Sequence, residues 1–124
     1  MKIYISHSRK FDFQNELYKV LRESELNSNH EFILPHEQSD MPFNTKELFM
    51  NKGCDVVVAE VSYPATGQGI ELGWADMLEI PIICIYKEGI EPSQSLHTVS
   101  KRFLMYTSSE NMLEDISGAL RIYE

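Results

Sequence analysis

The sequence predicts one α/β domain over residues 1–124, built on a doubly wound sheet of about five parallel strands with helices on both faces. Three observations carry this expectation. Short β-type segments alternate with segments of helical periodicity along the whole chain. The central β-type segments, "DVVVAEV" and "PIICIY", are continuously apolar, as strands covered on both faces are. A chain of 124 residues has room for a single core, and that size suits the flavodoxin-like version of the fold.

The elements follow in order. "KIYIS" (2–6) alternates Ile3 and Ile5 and reads as a strand. Residues 10–24 place Phe13, Leu17, Val20 and Leu21 on one helical face. "EFILP" (31–35) is a short second strand. A helix over 44–52 is announced by Asn44 as N-cap with Glu47 three residues on, in the manner of a capping box. Strand 55–61 is the clearest in the chain. A loop with Pro64, Gly67 and Gly69 leads into a helix over roughly 69–79. Strand 81–86, a loop over 88–95 and strand 102–106 follow. The closing helix, 108–123, gathers Leu113, Ile116 and Leu120 on one face.

Composition narrows the function classes. The chain is 43% hydrophobic and 24% charged, ordinary for a globular domain. A net charge of −8 argues against a broad nucleic-acid surface, while leaving room for a local pocket that takes a small anion. The longest apolar runs are too short to cross a bilayer, so no membrane partner is expected. No apolar run follows the Met-Lys start, which suggests a cytoplasmic protein without a signal peptide. Cys54 and Cys84 lie in or beside apolar runs and read as reduced core thiols. His7, His30, His36 and His97 are scattered, so no zinc site is expected, and no organic cofactor is called for.

In sheets of this kind ligands bind beyond the carboxyl ends of the strands. That rule selects Ser6, His7 and Ser8 after the first strand, His36 after the second, and residues 62–71 after the third. Gly67, Gly69 and Gly73 do not make a dinucleotide fingerprint, because the third glycine falls one position late and the loop follows the third strand. Glu71 is the unusual residue: a carboxylate among small and apolar residues, expected in the first turn of a helix, where exposed N–H groups favour its ionised form. Such a carboxylate is a nucleophile suited to an anomeric carbon, with glycines beside it that let a ligand come close. A second acid would then protonate the leaving group. Glu60, mid-strand, reads as a structural carboxylate that must find partners if buried.

The run "CDVVVAEVSYPATGQGIELGWA" resembles the core signature of the nucleoside 2-deoxyribosyltransferase family, which includes deoxynucleoside 5′-monophosphate N-glycosidases. The resemblance extends to "KIYISHS" and to the βα order, and so covers most of the chain. It implies that Glu71, in G-x-G-x-E-L-G, is the nucleophile, with Tyr4 beside it. It implies a phosphate contact for Ser8, an acid for the leaving base at Glu47, and, at Ser95, a serine lent by a neighbouring subunit of a homo-oligomer. The expected substrates are nucleosides or their 5′-monophosphates.

This sequence also departs from the family pattern. Where the transferases carry an aspartate for the sugar 5′-hydroxyl and the phosphate hydrolases a serine, this chain has Ala65, with Thr66 next to it as a substitute hydroxyl. Glu47 stands where an aspartate is usual. Arg9 and Lys10 lie at the expected pocket mouth, where they could meet a phosphate. Two other readings stand beside the leading one. "YISHSRKFDF" faintly resembles the opening of TIR-like domains that cleave NAD, and the departures at Ala65 and Glu47 fit a catalytically silent nucleotide-binding module.

Overall fold

The computed structural model describes residues 1–124. Five strands form one sheet: β1 (Lys2–His7), β2 (Glu31–Ile33), β3 (Val56–Glu60), β4 (Ile82–Lys87) and β5 (Arg102–Tyr106). Their order is β2-β1-β3-β4-β5, and every neighbouring pair is parallel. This is the flavodoxin-like doubly wound sheet that the sequence predicts, with its switch point between β1 and β3.

Strand alternation sorts the side chains into two cores. Ile3, Ile5, Val56, Val58, Ile83 and Ile85 face one side, against Leu17, Leu21, Met112 and Ile116. Tyr4, Val57, Ala59, Ile82 and Cys84 face the other, against Phe49, Leu72 and Ala75. The first side is covered by a π-helical turn (Gln14–Tyr18) that runs into α1 (Lys19–Arg22), and by α5 (Ser109–Leu120). The second is covered by α3 (Thr45–Met50) and α4 (Thr66–Met77). A short α2 (Leu26–Asn29) precedes β2. Cys54 and Cys84 are free and buried, and burial pushes both thiols up to about 11, so they behave as inert core residues. No helix is long and apolar enough to cross a membrane.

Several boundaries differ from the sequence expectation, and two of them bear on the site. The first helix starts at Gln14, not residue 10. Residues 8–13 turn locally instead: the Lys10 N–H donates to Ser8 Oγ at 3.0 Å, and the Phe13 N–H to the Phe11 carbonyl at 2.8 Å. The helix expected at 69 starts at Thr66, with Ala65 extended as its N-cap. Gly67 and Gly69 are accommodated as helical residues because Leu72 and Ala75 anchor α4 to the core and the buried Gln68 amide donates to the Glu60 carbonyl at 2.9 Å. Strand β2 stops at Ile33. A 3₁₀ turn, Gln94–Thr98, occupies the end of the 88–95 loop and beyond, and α5 ends at Leu120 in a 3₁₀ turn.

Candidate active site

Glu71 lies in the second turn of α4, not the first, and no acidic residue occupies the first turn. The helix end therefore does not hold it ionised as expected, since the field of the exposed N–H groups fades within a turn. Burial instead raises its carboxyl above the ordinary range, and three hydroxyl donors work against that rise. Ser6 Oγ donates to Oε2 at 3.1 Å and the Tyr4 hydroxyl to Oε1 at 3.2 Å, while Thr45 Oγ1 stands 3.4 Å from Oε1. Tyr4 and Thr45 are themselves 2.7 Å apart. Burial and the neighbouring Glu71 charge push the Tyr4 phenol well above its usual range, so it stays a donor.

The sheet explains how these groups meet. Tyr4 and Ser6 are two residues apart on β1 and so face the same side, towards α4. On α3, Thr45 and Phe49 are one turn apart and both buried. All three hydroxyl residues are at most 3% exposed, whereas Glu71 is only partly buried.

Glu71 opens onto a cavity of about 770 Å³ at the carboxyl ends of the strands. Of the residues selected from sequence, His7, Ser8, His36, Ala65, Thr66, Gly67, Gly69 and Ser95 line it together with Glu71. Most of its lining residues are polar or glycine. Arg9, Lys10 and His36 stand on one wall, and the first turn of α4 supplies another. The N–H groups of Thr66, Gly67 and Gln68 precede the first intrahelical bond, from the Gly69 N–H to the Ala65 carbonyl at 3.1 Å.

His7 borders the cavity but is satisfied from within. Its Nδ1–H donates to the Ser8 carbonyl at 2.8 Å, and its Nε2 accepts from the Tyr18 hydroxyl at 2.6 Å. Tyr18 in turn accepts the His36 N–H at 3.1 Å. Burial pushes His7 down to about 4, so the ring is neutral at pH 7. Arg9 donates to His36 Nδ1 at 2.9 Å and to the Asp40 carbonyl at 2.8 Å, which fixes its guanidinium at the cavity edge. Burial, and then the Arg9 charge, lower His36 as well.

Other expected roles change. Ser8 lines the cavity but is buried and closes the turn to Lys10. Glu47 is exposed and serves the capping box: the Asn44 amide donates to its Oε2 at 2.6 Å, and its N–H donates to Asn44 Oδ1 at 3.4 Å. It does not line the cavity. Ser95, expected to serve a neighbouring subunit, lines the cavity of its own chain. Glu60 is buried, as a structural carboxylate, and accepts the Ser62 N–H at 2.7 Å, the Ser62 hydroxyl at 2.9 Å and the Tyr106 hydroxyl.

Sequence reasoning missed Thr45 and Glu91, which respectively touch Glu71 and supply the cavity's second carboxylate, whereas Tyr63, within the selected 62–71 stretch, walls the cavity as expected. A signal for Thr45 was present: it precedes the apolar Phe49 by one helical turn, on the inward face.

A partly buried carboxylate cradled by hydroxyls at the switch point of a doubly wound sheet defines the class of site as carboxylate-centred, with an adjoining cleft of nucleotide size. Comparison with known proteins gives the particulars. No family model matches the chain. Over 58 residues, 47% of its length, the chain is 33% identical to a Syntrophotalea carbinolica protein provisionally named 2′-deoxynucleoside 5′-phosphate N-hydrolase 1, and it spans 41% of that relative. The fold is similar to that of the Clostridium botulinum CMP N-glycosidase BcmB, with a TM-score of 0.65 and 20% identity over 94% of this chain and 99% of that one. It is also similar to a conserved Enterococcus faecalis protein, with a TM-score of 0.59 and 16% identity over 97% and 99%. The sequence match agrees with the family resemblance over its 58 residues, and the two solved structures share the flavodoxin-like sheet.

Proposed function

We propose that this protein cleaves the N-glycosidic bond of nucleoside 5′-monophosphates by double displacement. The observation that carries the proposal is the Glu71 carboxylate, held by Tyr4 and Ser6 and open to a nucleotide-sized cavity. Glu71 attacks C1′, the C1′–N bond breaks, and its electron pair leaves with the base. Water then attacks C1′ of the glycosyl ester, giving its proton to the carboxylate that protonated the base, which frees Glu71 and the sugar 5-phosphate. A free base in place of water would give transfer.

The departing base takes a proton from a neighbouring acid. Two carboxylates are candidates: Glu91, which lines the cavity, and Glu47, which must first release Asn44. Glu47→Gln and Glu91→Gln separate them, since losing the true acid depresses turnover most for bases that are poor leaving groups.

A phosphate fits the wall formed by Arg9, Lys10 and Ser8, or the free N–H groups of α4. Ala65 places no carboxylate there to accept a free 5′-hydroxyl or to repel an anion. The relatives named for a deoxynucleoside 5′-phosphate and for CMP support the same choice. The deciding experiment incubates the protein with nucleosides and their 5′-monophosphates, in ribo and deoxy forms, with and without a second free base. Free base and a sugar 5-phosphate are expected from the monophosphate. Base exchange on free nucleosides, with monophosphates untouched, would make the protein a transferase instead.

A further inference from the structure

We propose that Thr45 is a positioning residue for Glu71, acting by giving the Tyr4 hydroxyl proton a second acceptor. The inference rests on the reading of Glu71 as nucleophile and adds a residue that reading does not need. Tyr4 has one proton and two oxygen neighbours, Thr45 Oγ1 at 2.7 Å and Glu71 Oε1 at 3.2 Å. Thr45 likewise has one proton, with Tyr4 at 2.7 Å, Glu71 Oε1 at 3.4 Å and the Phe43 carbonyl at 3.5 Å. Tyr4 is fully buried and Thr45 is 3% exposed, so neither has free access to solvent for an alternative partner.

Two arrangements give both hydroxyl protons an acceptor. With Glu71 ionised, Tyr4 donates to Oε1 and Thr45 donates to Tyr4, so the carboxylate gains a donor polarised by another. With Glu71 esterified to the sugar, its oxygens are weaker acceptors. Tyr4 then turns to Thr45, and Thr45 to the Phe43 carbonyl. No proton leaves the group; two hydroxyls reorient. Thr45 thus lets Tyr4 support the carboxylate without being left as a buried donor lacking a partner once the ester forms.

Thr45→Val keeps the shape and removes the hydroxyl, and Thr45→Ser restores it. The acid limb of kcat/KM for base release reports Glu71 ionisation in the free enzyme. In Thr45→Val the limb should move to higher pH, because the carboxylate loses a supporting donor, and kcat should fall on the order of tenfold, with KM little changed. Thr45→Ser should return both towards the parent. The carboxyl infrared band of Glu71, assigned by its loss in Glu71→Gln, gives the same titration without turnover and should shift in the same direction in folded Thr45→Val. An unshifted limb and band in Thr45→Val, or equal losses in the Ser and Val variants, would overturn the role of Thr45. Activity surviving in Glu71→Ala would instead remove the nucleophile reading, a separate outcome.

Discussion

At the scale of single residues, Glu71 and His7 both hold ionisation states that burial sets, and both make predictions. Replacing a covalent nucleophile should cost several orders of magnitude, each ~1.4 kcal/mol of barrier being tenfold in rate. Glu71→Ala is therefore expected to abolish base release; a rate within tenfold of the parent would remove Glu71 from the mechanism. The same carboxylate should cost stability. Its folded pKa lies above the unfolded value, so above that unfolded value the folded state holds the proton more tightly and stability declines as pH rises. Glu71→Gln should consequently melt higher than the parent at pH 7, with the gain vanishing in acid. His7 runs the other way. Its folded value, about 4, lies below the ordinary 6.5, so stability is complete above 6.5 and is lost as pH falls towards 4, by up to about 3 kcal/mol. Denaturant titrations from pH 7 to 4 should show this slope, and His7→Gln should flatten it. Glu71 is legible from sequence because a carboxylate set among glycines and small residues adds nothing to a core and is costly to bury. Thr45 is less so: its spacing from Phe49 puts it on the inward face, but a threonine after an N-cap is ordinary until the fold brings β1 and α4 against it.

At the scale of elements, α4 carries three glycines at a cost in helix stability. Gly67, Gly69 and Gly73 are all helical, and a Cβ at any of them would meet no atom within 4 Å. Alanine at such a site should therefore gain about 0.5–1 kcal/mol from helix propensity and a less flexible unfolded chain. Gly69 lines the cavity and Gly73 does not. Gly73→Ala should raise the melting temperature and leave KM unchanged, whereas Gly69→Ala should raise both the melting temperature and KM. Equal KM values for the two variants would show that the first turn of α4 does not approach the substrate. The same helix marks where the sequence stops being legible. All five strands can be read from it, the central β3 and β4 most clearly, because a strand buried on both faces needs an unbroken apolar run, which a loop or a half-exposed helix does not carry. The start of α4 cannot, since glycine's poor propensity argues for a loop while Leu72, Ala75 and the Gln68 amide hold the turn helical. The first helix begins later than its polar and apolar pattern allows, because residues 8–12 turn locally at Ser8 and Phe11, while Phe13 already packs with Leu17 and Leu21.

At the scale of the whole molecule, the outer side of α4 raises the question of what covers it. Ile70, Trp74 and Met77 follow helical spacing, and Met50 of α3 is exposed beside the pairing of these helices. Met77 is 82% exposed, Met50 60% and Ile70 50%, while Lys46 stands over the Trp74 ring at 5.8 Å. Apolar groups aligned on one face mark an association surface more readily than the same groups scattered. The expected occupant is a second copy of this chain, the homo-oligomer that the family resemblance implies. Because Ile70 adjoins Glu71 on α4, association there would stiffen the helix that carries the nucleophile. Sedimentation at micromolar concentration should give a dimer or larger species, and Met77→Glu should shift it towards monomer by burying a charge in the contact. Activity should fall with the oligomer in that variant. An active monomer of the parent at the same concentration would show that one chain suffices, in keeping with Ser95 lining its own cavity, and would leave the α4 stripe without a role in catalysis.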